Sequence, residues 1–385
     1  MKSIVVQVGS GVVAIPPDKG GATEKLLWEF SKRKSRKTDI TVIDNGTPGK
    51  KGNIQYVSAH RFDGKFSLRI TELIFGMRCR KRIIDINKVS PVSVVHCHTP
   101  FTALTFALLG LPDNIKTVYT CHNPAWTVGS EEIDFPNRVV KRIEGYVMRK
   151  FDHVTAETKV SLDSVEKTAG AGKCSVVTSF LDCKTFSSAK KDYIRRRYGS
   201  GKNTVLFLSK LNRIKGVDTF IRAAGIVVKE IPDAKFFIAG PASFEGDESD
   251  VHWRELAKKL ELERNIVFTG TVPEKDLPSI YASADVFCLP TQREVFGLVV
   301  AEAMAAGTAV VTSDIPALKE VTEGKAVHVP RGDYRGFADA ITYMLRNPAV
   351  RKKMGKELKM SAKRFDKSYV MSRFEDLYMK MVKNP

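Results

Sequence analysis

No stretch of this 385-residue chain approaches 18 consecutive apolar residues, so no membrane-spanning helix is expected. The longest candidate, Phe101 to Leu111, has the length of one buried core helix. The opening MKSIVVQVGS has a single Lys before a short β-branched run. It lacks the longer apolar region and small-residue cleavage site of a secretory signal, so mature and precursor chains are expected to be the same. Cysteine is sparse: Cys79, Cys97, Cys121, Cys174, Cys183 and Cys288 form no C-x-x-C pair, which removes the zinc-ribbon and dithiol redox classes. Reduced thiols in a cytosol-like compartment are expected. Short repeats and low-complexity tracts are missing too, and 43% apolar with 27% charged residues excludes wholesale disorder and collagen-like chains.

Acidic residues are in deficit, 43 Asp plus Glu against 62 Lys plus Arg, for a net charge of +19. Something anionic is the implied partner: nucleic acid, a membrane surface or a phosphorylated substrate. Both halves carry the excess, so it is not a detachable tail. At roughly 150 residues per domain the length predicts two to three domains.

What is present is alternation. Ser3 to Val8 is a β-branched run, and Ala22, Leu26, Leu27 and Phe30 follow at helical spacing. Val92 to His96 and Thr117 to Thr120 predict strands, Thr99 to Leu109 and Val139 to Phe151 helices. The pattern lapses into Ser, Lys and Gly over 186–203, the expected linker. It restarts with strands at Thr204 to Leu208, Lys235 to Ala239, Ile266 to Phe268, Val286 to Leu289, Ala309 to Thr312 and Ala326 to Val329. Strands alternating with helices mean parallel βαβ units. The expected fold is α/β, with doubly wound domains at 1–185 and 204–365 and a charged helix at 366–385 that packs outside or folds back on the first domain.

Ligands in such sheets bind beyond the carboxyl ends of the strands. Gly9-Ser10-Gly11-Val12-Val13-Ala14 matches G-x-G-x-x-A, but Pro16 and Pro17 follow at once and remove the amides a dinucleotide-binding helix needs. A nicotinamide or flavin enzyme is not expected. Gly20-Gly21, just before the Ala22 helix, would let a phosphate or sugar hydroxyl approach helix amides. His96 and His98 close one strand and His122 another, without a further ligand at a spacing that would predict a metal.

The second half is more specific. Ser209-Lys210-Leu211-Asn212-Arg213-Ile214-Lys215-Gly216 puts three cations in one strand-to-helix loop, suited to a diphosphate without a metal. After the Val286 to Leu289 strand, Glu294 lies in a loop, Gly297 opens a helix, Glu302 sits one turn inside it and Gly307 ends it. A carboxylate in so apolar a helix needs a partner: ribose hydroxyls, or a structural Arg or backbone group. The amides of Leu298 and Val299 point at a phosphate.

At these residues the chain resembles the retaining glycosyltransferases of family 4. The carrier is the E-x7-E element from Glu294 to Glu302, in its E-x-F-G-L-x-x-x-E-A-M-A-x-G setting. Support comes from Pro16-Pro17 with Gly20-Gly21, Thr120-Cys121-His122, Lys215-Gly216 and Phe268-x-Gly270. The resemblance implies GT-B architecture, two Rossmann-like domains facing across a cleft, the second holding a nucleotide-sugar and the first mainly the acceptor. It assigns Glu302 to the donor ribose, Glu294 to the donor sugar and Lys215 to the diphosphate, with Lys210, Arg213, Phe296, Gly297, Leu298 and Val299 completing the donor site. From the first domain Gly20, Gly21, His98 and His122 would approach sugar and phosphates. Where the family has Gly-Arg-Leu this chain has Ser209-Lys210-Leu211, and Thr178-Ser179-Phe180 replaces Pro-Asn-Gly. Whether Lys210 or Arg213 stands in for the missing Arg stays open. The implied reaction moves a hexose-type sugar with retention to a sugar or lipid-linked acceptor in glycan biosynthesis. No metal or other cofactor is implied; Glu294 as covalent nucleophile is the alternative.

Lys32-Arg33-Lys34 with Arg36-Lys37, and Arg78 with Arg80-Lys81-Arg82, are dense basic clusters in the first half. They suit either solvated surface or an anionic leaflet, and with the latter the expected location is cytoplasmic, peripheral to the inner face of a membrane. Rival readings are an epimerase or phosphorylase of the same architecture, and a nucleic-acid-binding protein. The last lacks a helix-turn-helix, zinc spacing or an aromatic-basic strand. Base, sugar, acceptor, linkage and oligomeric state are left open.

Overall fold

A computed structural model describes residues 2–11, 15, 22–46, 49–57, 65–122, 135–200, 202–242 and 250–383, excepting the side chains of 22, 65–68 and 135–137. The chain forms two compact units, Met1–Ser179 with Ser368–Pro385, and Phe180–Lys367. The first is built on β1 (Ser3–Val8), β2 (Thr38–Asn45), β3 (Gly49–Lys51), β4 (Ile54–Val57), β5 (Val92–Cys97), β6 (Lys116–Cys121), β7 (His153–Ala156) and β8 (Cys174–Val176). Their order is β3-β4-β2-β1-β5-β6-β7-β8, parallel throughout except for β3 against β4. The second contains β9 (Thr204–Leu208), β10 (Lys235–Ala239), β11 (Ile266–Gly270), β12 (Val286–Leu289), β13 (Ala309–Ser313) and β14 (Val327–Val329), ordered β11-β10-β9-β12-β13-β14. Numbered from β9, that is 3-2-1-4-5-6, the doubly wound order of dinucleotide-type folds. Apolar runs such as Thr-Val-Leu-Phe-Leu in β9 are buried along their whole length, as helices on both faces of a parallel sheet require. Each unit has its own apolar core. Among the described residues no helix is long and apolar enough to cross a membrane.

Two features differ from the expected layout, and a third takes one of the two expected placements. The boundary falls after Ser179 rather than at 185, because Leu181 bonds into the far end of its unit: its N–H donates to Phe365 O (2.9 Å) and its carbonyl accepts from Lys367 N (2.9 Å). Residues 186–203 are not a plain linker, since the helix Tyr193–Tyr198 buries Tyr193 and Ile194 in the second core. The closing helix Lys367–Lys383 runs mostly within the first unit. There Phe374 meets Phe30 edge-on at 5.5 Å, Tyr378 is fully buried and Glu375 takes a bidentate pair from Arg33 at 3.0 and 2.8 Å.

Candidate active site

In the second sheet β9 and β12 are neighbours at the point where strand order reverses, so the loops leaving them emerge side by side. After β9, Asn212 Oδ1 accepts from Lys215 N (2.9 Å), closing a short 3-10 turn over Arg213–Lys215. Gly216 then takes a left-handed conformation, φ 78°, and opens the helix Val217–Glu230. A Cβ there would lie 1.9 Å from Pro290 O, so only glycine lets the two loops touch. They are stitched further by Thr291 Oγ1 and Gln292 N, which both donate to Ile214 O, at 2.9 and 2.7 Å.

The outcome of this stitching is an ion pair between Lys215 Nζ and Glu294 Oε1, with side chains 25% and 11% exposed. Lys215 and Glu294, expected separately on diphosphate and sugar, are thus brought together. Lys210 and Arg213 are exposed beside them in the same loop. Gly297, φ 84°, caps the helix Leu298–Ala306, and the first amides of that helix have no carbonyl one turn earlier. Phe296, expected in the donor set, is 3% exposed and packs edge-on against Phe365 at 5.1 Å. That contact anchors the loop. Glu302 is 9% exposed and its Oε2 accepts from Tyr281 OH at 2.8 Å. Burial and the adjacent carboxylate push the Tyr281 phenol well up, which keeps it a donor. That hydroxyl, not named by any motif, is one partner the buried carboxylate required.

The first unit presents its histidines at the carboxyl ends of β5 and β6. His98 Nε2 bonds Gln7 Oε1 (2.9 Å) and His98 Nδ1 bonds His122 Nε2 (3.0 Å). His122 Nδ1 lies 3.1 Å from Glu157 Oε1, which also accepts from Ser179 Oγ at 2.6 Å. His96 Nδ1 bonds Tyr378 OH (2.7 Å) and its Nε2 bonds Thr120 Oγ1 (2.6 Å). Burial, reinforced by neighbouring imidazoles, pushes His96 and His98 well below the ordinary histidine range, so both are neutral. His122 is 21% exposed at its side chain with both ring nitrogens engaged. It can meet a ligand only by releasing one of them. Gln7, Glu157 and Tyr378 escaped the sequence reading, although Gln7 is the one polar residue interior to the Ile4–Val8 run and is fully buried. Gly20 and Gly21 lie outside the described residues.

The basic clusters are partly neutralised. Arg33 pairs with Glu375, Lys37 with Asp376 at 2.8 Å and Lys32 with Glu29 at 3.0 Å. Arg80 donates to the carbonyls of Leu109 and Gly110, and Arg82 to Gln55 Oε1. Lys34, Arg36 and Lys81 are exposed.

The family model for glycosyl transferases group 1 matches residues 190–360, and that for glycosyltransferase family 4 matches residues 23–185. The chain belongs to the family-4 glycosyltransferases. A D-inositol 3-phosphate glycosyltransferase of Corynebacterium urealyticum is 29% identical over 306 residues, 76% of this chain and 72% of that protein. Among solved structures, a sucrose-phosphate synthase from Thermosynechococcus elongatus superposes with TM-score 0.80 at 18% identity, covering all of both chains. Anabaena HepE in complex with UDP gives 0.77 at 17%, covering 99% of this chain and all of that one. The glycosyltransferase therefore has the GT-B kind of architecture, with two parallel-sheet α/β domains. Its Lys215–Glu294 pair and its Glu302 lie within the group 1 match, and its histidine cluster within the family-4 match.

Proposed function

We propose that this glycosyltransferase moves a hexose-type sugar from a nucleoside-diphosphate sugar to a sugar or lipid-linked acceptor, with retention at the anomeric carbon. The observation that carries the reading is the Lys215–Glu294 pair held at the switch point of the second sheet. A cation and a carboxylate in contact suit a ligand that is anionic at one end and hydroxylated at the next. An arriving diphosphate takes Lys215, and Glu294 turns to sugar hydroxyls. Lys210, Lys215 and the amides of Leu298 and Val299 stabilise charge developing on the departing phosphate, and Glu302 accepts from the ribose. The acceptor attacks from the face the diphosphate leaves, through an oxocarbenium-like state, and the leaving phosphate takes its proton. The loop cations make a metal unnecessary in this scheme. That the solved relative HepE was obtained with UDP supports a nucleotide as the ligand class.

For the acceptor side, exposed Lys34, Arg36 and Lys81 support attachment to an anionic leaflet from the cytoplasmic side. At about 1 kcal/mol each they would give about 3 kcal/mol. Equal partitioning onto neutral and anionic vesicles at low salt would oppose this. Transfer itself is tested by nucleoside-diphosphate release: it should depend on added acceptor. Release without acceptor, or conversion of the donor to its epimer, would replace transfer with another reaction on the same site.

A further inference from the structure

Eight polar side chains of the first unit form one unbroken line: Glu157, His122, His98, Gln7, Tyr378, His96, Thr120 and Thr155. Each link has room for one proton, so with His96 and His98 neutral, fixing any link between His122 Nε2 and Thr120 fixes the others in that stretch. Gln7 Nε2 donates to Tyr378 OH at 2.7 Å and Gln7 Oε1 faces His98 Nε2. With the amide oriented so, His98 Nε2 carries the proton and His98, being neutral, has a bare Nδ1. His122 must then donate through Nε2. Its Nδ1 faces a carboxylate that accepts only, so it donates there as well, and His122 is an imidazolium paired with Glu157. On the other side Tyr378 donates to His96 Nδ1, and His96 Nε2 donates to Thr120.

Turning the amide by 180° about its own bond exchanges its nitrogen and oxygen without moving any other atom. Every link from His122 Nε2 to Thr120 then reverses, while His122 Nδ1 still donates to Glu157. Tyr378 donates to Gln7, His96 Nδ1 donates to Tyr378, Gln7 donates to His98 Nε2 and His98 Nδ1 donates to His122 Nε2. His122 is now neutral, with its one proton on Nδ1 toward Glu157. In both arrangements each contact of the line has one donor and one acceptor, and they differ by one proton, at His122.

We infer that Gln7, His98 and Tyr378 are positioning residues that set the proton on His122, as a relay with two polarities selected by the Gln7 amide. The closing helix thereby enters the state of a ring some 250 residues away in sequence, since Gln7 and Tyr378 are 371 positions apart. Among the described residues other groups bear on the line as well: Ser179 Oγ donates to Glu157. Glu375 faces Tyr378, while His153, itself beside Lys380 and Lys173, faces His96. The consequence for transfer rests on the proposed function: the charged state suits an anionic ligand and the neutral state does not.

The test is a pH titration of the full-length chain labelled with 15N-histidine, followed by long-range proton–nitrogen spectra from about pH 5 to about pH 9 without nucleotide. Seven histidines make assignment tractable. His98 and His96 should each exchange the nitrogen that bears their proton at the pH where His122 gains its second one, although neither binds a proton itself. In Tyr378→Phe, His98 should still follow His122 and His96 should not. A His98 tautomer unchanged across the range in the wild-type protein, or a wild-type His96 that moves independently of His122, overturns the relay. Because no donor is present, this outcome is separate from whether the protein transfers sugar.

Discussion

In the proposed transfer Lys215, held by the Asn212 cap and by Glu294, is the cation that meets charge developing on the leaving phosphate. Lys215→Ala should lower kcat by about 10²-fold or more, on the order of 3 kcal/mol, by the scale of removing one oxyanion donor, with a folded protein by circular dichroism. A wild-type kcat would remove Lys215 from the chemistry. Tyr281→Phe withdraws a buried donor from Glu302 and should cost about 1–3 kcal/mol in urea unfolding; an unchanged midpoint would show that the remaining surroundings of Glu302 suffice. The types and places of Lys215, Glu294 and Glu302 were legible because chemistry at a strand end leaves a local pattern. Their partners were not. Lys215 and Glu294 are 79 positions apart, and nothing local in a sequence tells which loops a sheet order will bring side by side.

Glycine carries the same lesson at the scale of elements. Gly216→Ala would need a φ of 78° and a Cβ 1.9 Å from Pro290 O. The conformation alone costs about 1–2 kcal/mol, and the clash must part the two loops. The variant should lose stabilisation by nucleotide while the first unit keeps its protection in hydrogen exchange; nucleotide binding at wild-type strength would mean the loops need not touch. Strands such as Thr204–Leu208 and Val286–Leu289 stood out because buried parallel strands are continuous apolar runs. The helix Lys65–Val89 did not, since its apolar residues do not gather on one face. Tyr193–Tyr198 was hidden by Lys and Arg around only two buried side chains.

On the scale of the whole molecule, buried titratable groups pull stability in opposite directions with pH. Burial pushes Asp44 up to about 7, and its Oδ2 holds Ile15 N at 2.6 Å. Below its unfolded value of 3.8, both states hold the proton. From there to about 7 only the folded state does, so this group makes stability fall as pH rises and adds no slope above. His96, His98 and His153 are pushed down. Below their unfolded value of 6.5 the unfolded state binds their protons more readily, so they make stability rise with pH. The clean readout is therefore a difference: relative to wild type, Asp44→Asn should gain about 1.4 kcal/mol per pH unit across that window, about 4 in all. A difference flat with pH in urea unfolding would show that Asp44 is not the group responsible.

In the proposed function the second unit holds a nucleoside diphosphate at Lys215, Glu294 and the neighbouring helix amides. The direct measurement is thermal unfolding of the full-length protein with UDP, GDP, ADP and dTDP, each beside its nucleoside. A diphosphate at 100 times its Kd should stabilise by about 2.7 kcal/mol, one base should stand out, its nucleoside should do much less, and Lys215→Ala should shrink the effect. No stabilisation by any of the four would contradict the account.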